Sequence, residues 1–86
     1  MRTYQLVIST PVGNPFSGEV LGLSVRGVEG ELAVLANHVP FITTLKPCQC
    51  KITLPDETEK IGQVEGGLLT VGNEKVTLLS DSFAWL

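Results

Sequence analysis

Glycine and proline recur so often in this sequence, nine and five times in 86 residues, that no stretch offers three or four turns of helical apolar spacing free of breakers. What survives between them is alternation. Tyr4, Leu6 and Ile8 alternate with Thr3, Gln5, Val7 and Ser9, and Leu21, Leu23 and Val25 alternate with Gly22, Ser24 and Arg26. Leu32, Val34 and Ala36 repeat the period, the pattern of strands that bury one face. The segment 41–45 is β-branched and apolar, and Cys48, Cys50, Ile52 and Leu54 share a face against Gln49, Lys51 and Thr53. Pro55-Asp56-Glu57-Thr58 reads as a polar hairpin turn. Gly66-Gly67 reads as a bulge or sharp bend between strand patterns at 61–64 and 68–71, and Gly72-Asn73-Glu74 as a turn that returns through Lys75–Leu79. Short strands at this spacing predict an all-β chain, either two antiparallel sheets packed face to face or a flattened barrel.

The length leaves room for one domain, residues 1–86, and few residues from which to build an enzyme cleft. Six Lys and Arg against nine Asp and Glu give a net charge of −3. Such a chain lacks the positive field that phosphate backbones or anionic lipids attract, so no nucleic-acid partner is expected. No apolar run approaches the ~20 residues of a membrane-spanning helix, and Leu6-Val7-Ile8 is too short for the apolar core of a signal peptide. The chain is expected to be soluble and cytoplasmic, without direct membrane insertion. Cys48 and Cys50, the only cysteines, are too few and too close for a secreted disulfide framework.

Residues able to do chemistry are scarce. With His38 the sole histidine, and no nucleophile elbow or phosphate-binding loop, the sequence assigns no catalytic residue and no cofactor. A zinc site from Cys48, Cys50 and His38 would need a fourth ligand from Asp or Glu, and both thiols fall on the apolar face beside Ile52 and Leu54, where free cysteine behaves as a small hydrophobe. No metal is assigned. His38 lies in the turn-like Asn37-His38-Val39-Pro40, and Glu29-Gly30-Glu31 sets two carboxylates around a glycine expected at positive φ. That acidic tip is either a solvated hairpin end or a docking point. Phe83 and Trp85 alternate with Ser82 and Ala84 in a terminal strand, where large aromatics cap a core or meet a partner.

An ordered set of strings then carries a resemblance. Phe16-Ser17-Gly18, Val25 with Gly27, Glu29-Gly30-Glu31-Leu32, Asn37-His38-Val39-Pro40 and Leu45-Lys46-Pro47 occur in that order. Gly66-Gly67-Leu68-Leu69-Thr70-Val71 and Val76-Thr77-Leu78-Leu79-Ser80-Asp81 follow. Taken together, and over essentially the whole chain, they resemble the amino-terminal domain of the epsilon subunit of F-type ATP synthases. The resemblance implies a flattened antiparallel β-sandwich of about ten strands, a non-catalytic part of the rotor's central stalk that links the gamma shaft to the c ring. It implies c-ring docking through Glu29, Glu31 and His38 at one end of the sandwich, and gamma binding on an apolar sheet face, with Phe83 and Trp85 as candidate contacts. The chain would then sit at the membrane through the synthase complex. Two departures stand out: Cys48 replaces the glycine that usually follows Lys-Pro, and the usual carboxy-terminal helical hairpin is missing after Leu86, so the inhibition and nucleotide binding assigned to that hairpin do not carry over. The same scaffold kept as a free-standing protein-binding module is the alternative.

Overall fold

The computed structural model describes residues 2–27, 30–36 and 39–86. Among them the chain forms eight strands: β1 (Tyr4–Thr10), β2 (Gly13–Val20), β3 (Gly22–Gly27), β4 (Gly30–Leu35), β5 (Phe41–Thr53), β6 (Glu59–Val71), β7 (Lys75–Leu79) and β8 (Phe83–Trp85). They hydrogen-bond in the order β2-β1-β7-β6-β5-β3-β4, with β8 attached to β6. The all-β expectation holds, with eight strands rather than about ten and with one parallel pair, β1 beside β7, inside an otherwise antiparallel sheet. The sheet curls until its two ends face each other. The Tyr4 hydroxyl on β1 donates to the Val34 carbonyl on β4 at 2.7 Å, although four strands lie between β1 and β4 in the sheet order.

The alternating residues fill the interior. Leu6, Ile8, Leu23, Val25, Val34, Leu69, Val71, Val76 and Leu78 are all buried, and they come from both halves of the curled sheet, as the two layers of a sandwich require. Strand β2 escapes the alternation pattern because Gly13, Pro15 and Gly18 interrupt it. Proline is tolerated there because β2 is an edge strand and β1 needs only one of its sides.

The β5–β6 hairpin is the spine. It keeps one register from Phe41↔Val71 to Thr53↔Glu59 and closes through a tight turn in which the Leu54 N–H donates to the Thr58 carbonyl at 2.8 Å. Asp56 accepts from both the N–H and the hydroxyl of Thr58, at 3.0 and 2.6 Å, which holds its carboxyl below the usual range. Both strands change the side they bury at the same level. On β5 the buried residues are Leu45 and then Cys50 and Ile52, and on β6 Val64 and then Leu69 and Val71; strict alternation would not bury residues an odd number apart. The change coincides with Pro47 on one strand and with Gly66 (φ 100°) and Gly67 (φ 153°) on the other, conformations that favour glycine. Gly66-Gly67 is therefore a bend within a continuous strand, with the pairing intact on both sides.

Candidate docking surfaces

Pairing register places the outward residues of β2, β1, β7, β6 and β5 in rows. One row runs Ser17, Val7, Thr77, Thr70, Ile42 and the next Ser9, Leu79, Leu68, Thr44. None of these nine carries a charge. Ile42 is 66% exposed, Leu79 44% and Leu68 38%. Hydroxyls interleaved with bare aliphatic side chains give a surface that costs little to desolvate, the property of a protein-binding face. The signal lay in the sequence at 7–9, 42–44, 68–70 and 77–79, where the residues opposite the core are Ser, Thr or aliphatic and never ionic.

The second layer presents a different outer face. Arg26 reaches Glu31 at 3.7 Å and Lys51 reaches Glu59 at 3.5 Å, both as cross-sheet neighbours on β3–β4 and β5–β6 or its turn end. Exposed pairs of this kind contribute about 0–1 kcal/mol each, so they orient side chains more than they stabilise. Between them lies an open groove of about 730 Å³ walled by Arg26, Glu31, Pro47, Cys48 and Lys51.

Gly30 has φ 123°, the positive value expected of the acidic tip, and Glu31 follows it, exposed and paired with Arg26. Glu29 and His38 lie outside the described residues.

The two terminal aromatics divide their roles. Phe83 lies across Gly62 on β6, so closely that a Cβ there would collide with its Cζ and come within 2.8 Å of its Cε2. The ring takes the place of a missing side chain and packs against the core. Trp85 sits edge-on to Phe83 with centroids 4.8 Å apart and also meets Phe16 of β2 at 6.3 Å. The Lys60 ammonium stands 4.5 Å above the Trp85 ring. Trp85 remains 38% exposed, so of this pair it is the residue with surface to offer.

The cysteines share a face, as expected, at different depths. Cys50 is fully buried, and burial, reinforced by neighbouring Cys48, pushes its thiol up to about 12. Burial, with Cys50 nearby, likewise raises the Tyr4 phenol above its usual range. Cys48 is half-buried and is not among the positive-φ residues, which outside glycine are represented only by Glu57 among the described residues; a side chain there causes no backbone strain.

Residues 3–86 match the family model described as ATP synthase, Delta/Epsilon chain, beta-sandwich domain. The chain belongs to this family. The ATP synthase epsilon chain of Dichelobacter nodosus (strain VCS1703A) is 38% identical over 81 residues, covering 94% of this chain and 57% of that protein. The epsilon chain of Psychrobacter sp. (strain PRwf-1) is 39% identical over 82 residues, covering 95% and 59%. The chain therefore spans somewhat over half the length of these curated relatives. Among solved structures, the fold is shared with a chain of the Euglena gracilis mitochondrial ATP synthase OSCP/F1/c-ring assembly at TM-score 0.91 and 19% identity, over 96% of this chain and 53% of that one. A chain of the Tetrahymena thermophila mitochondrial ATP synthase central stalk/c-ring matches at TM-score 0.77 and 13% identity, over 92% and 63%. Within the family's sandwich, the uncharged outer face, the Glu31 tip and the Trp85 corner are three separate places, carried by different strands. Among the described residues, no helix is long and apolar enough to cross a membrane.

Proposed function

We propose that this chain is a non-catalytic central-stalk subunit of a rotary F-type ATP synthase, seated between the gamma shaft and the c ring and held at the cytoplasmic face of the membrane by that complex. The match of residues 3–86 to the epsilon-type sandwich supports the reading most strongly. The gamma subunit docks on the uncharged face around Ile42, Leu68 and Leu79, where burying exposed aliphatic side chains supplies affinity and no ionic group must be desolvated. Trp85, at its separate corner, is a second proposed gamma contact, with Phe83 packed beside it against the core. The c ring meets the acidic tip at Glu29 and Glu31, where charge fixes register more than it adds bulk affinity. His38, in the Asn37-His38-Val39-Pro40 string, is the third residue proposed for the ring contact.

Separate binding measurements with purified gamma and with detergent-solubilised c ring test this arrangement. Ile42→Asp with Leu79→Asp places unpaired carboxylates in the gamma contact and weakens gamma binding by about 30-fold or more, the scale of a lost hot spot, while leaving ring binding intact. Glu31→Lys does the reverse. If Glu31→Lys abolished gamma binding and spared the ring, the orientation of the domain would be inverted; if neither partner bound the wild-type chain, the stalk role itself would fall.

A further inference from the structure

We propose that Cys48 is a positioning residue for the docking hairpin: its thiol holds the backbone of Arg26 and, through Arg26, the Glu31 carboxylate. This rests on the ring-docking role of the Glu31 tip given above. Strand β3 is bonded to β5 at Ser24↔Lys51 and again at Gly27↔Leu45. Between those pairs β5 runs through 46–50 while β3 has only Val25 and Arg26, so the register slips and the regular ladder has no partner for Arg26. Cys48 fills the gap with a side chain. Its Sγ accepts from the Arg26 N–H at 3.4 Å, and the thiol donates to the Arg26 carbonyl at 3.8 Å. One side chain thereby answers both backbone groups of a single residue where the ladder fails. A glycine at position 48 could make neither bond.

The consequence is transmitted across one strand pair. Arg26 stands directly opposite Glu31, and its guanidinium approaches the carboxylate at 3.7 Å. Both side chains are largely exposed, 56% and 80%, so their attraction is too weak to define a position unless the backbone beneath is fixed. Strand β4 is the last strand in the sheet order, with β3 as its neighbour, so the aim of Glu31 follows the aim of β3. Cys48 is the link that ties this part of β3 to the β5 spine.

The test uses the 86-residue chain with Cys48→Ala and Cys48→Ser, read by amide hydrogen exchange and by affinity for detergent-solubilised c ring. Cys48→Ala is expected to speed exchange at Arg26 by about 2- to 10-fold, the range a single hydrogen bond of ordinary net strength supplies, and to weaken ring binding by a factor in the same range. Serine keeps a donor and an acceptor at the same place, so Cys48→Ser restores both readouts at least in part. Core amides of Val64 and Leu69 keep wild-type protection in both variants, which separates loss of aim from loss of fold. Unchanged Arg26 exchange in Cys48→Ala, or a serine variant no better than alanine on both readouts, overturns the proposal. If Glu31→Gln leaves ring binding untouched while the exchange results are as expected, the docking role fails and the backbone-holding role stands.

Discussion

Replacing Gly62 by alanine isolates the contact that fastens the chain's last strand. The backbone at Gly62 is outside the positive-φ region, so a methyl group there carries no conformational penalty, and the whole cost is steric. The added Cβ would collide with the tip of the Phe83 ring and lie 3.0 Å from its Cε1. Forcing a methyl into a packed contact costs about 1–3 kcal/mol. For a domain of this size each kcal/mol lowers the melting temperature by about 4–8 °C, so Gly62→Ala melts roughly 5–20 °C below wild type. The ring gives way by turning about its side-chain bonds, away from its contact with Trp85, or by lifting β8, which pairs with β6 at Gly62, Gln63 and Val64. Trp85 is the only tryptophan and sits on that strand, so its emission reports the release: the spectrum of the native variant shifts to the red as the ring leaves Phe83, Phe16 and Lys60. Phe83→Ala removes the clash, so the double variant is less destabilised than the sum of the singles, by about 0.5–3 kcal/mol of coupling. An unshifted Trp85 spectrum together with additive losses would refute the idea that Phe83 occupies the space above Gly62.

The thiols differ in depth, so Cys48 reacts first with an alkylating reagent under native conditions and Cys50 reacts only at the rate of unfolding, as peptide mapping of partly labelled protein shows. Because burial raises the folded-state value of Cys50 from 9.0 to about 12, the folded chain holds this proton while the unfolded chain has lost it; stability is flat below pH 9 and falls above it, by up to about 1 kcal/mol per pH unit. Urea midpoints measured from pH 8 to 11 check this, and Cys50→Ala flattens the early part of the decline whatever its effect on the absolute midpoint. A wild-type profile that stays level to pH 11 would contradict the sign of the shift.

Much of the core was legible because the two-residue period is local. Tyr4, Leu6 and Ile8, or Leu23, Val25 and Val34, can be assigned inward without knowing their partners, and all six are buried. The breaks in the pattern were legible too, but their meaning was not. Lys46-Pro47 and Gly66-Gly67 mark the level at which paired strands change the side they bury, and a single strand's sequence cannot distinguish an end from such a bend, because the distinction lies in the partner's continuing to pair. The parallel contact between β1 and β7 joins residues some seventy positions apart and leaves no local trace. Strand β2 was hidden by its glycines and its proline, which an edge position forgives. As to the surfaces, Glu31 and Trp85 announced themselves by residue type. The face around Ile42, Leu68 and Leu79 becomes a patch only when register sets four strands side by side.

The bend can be tested where the chain has least freedom to yield. A Cβ on Gly67 would collide with the Leu79 carbonyl oxygen and lie 3.0 Å from the Leu79 carbonyl carbon and 3.1 Å from the Ser80 Cα. These are backbone atoms, so no side-chain rotation relieves them, in contrast to the ring above Gly62. Gly67 also has φ 153°, adding a conformational cost of about 1–3 kcal/mol for any other residue. Together with overpacking of about 1–3 kcal/mol, the total reaches a large part of the ~4–13 kcal/mol expected of so small a domain. Gly67→Ala should therefore be the more damaging of the two glycine substitutions. Gly66→Ala supplies the control: its φ of 100° carries the same kind of strain, yet the nearest atom to its Cβ is the Leu45 carbonyl oxygen at an ordinary 3.5 Å. Urea melts should rank Gly66→Ala above Gly67→Ala by the overpacking cost alone. Separating β6 from β7 at this point also parts the Leu68↔Leu79 pair, so any folded Gly67→Ala protein should lose gamma affinity along with stability. Equal midpoints for the two variants would mean that β6 and β7 do not approach as closely as the fold requires, and the bend would then rest on backbone conformation alone.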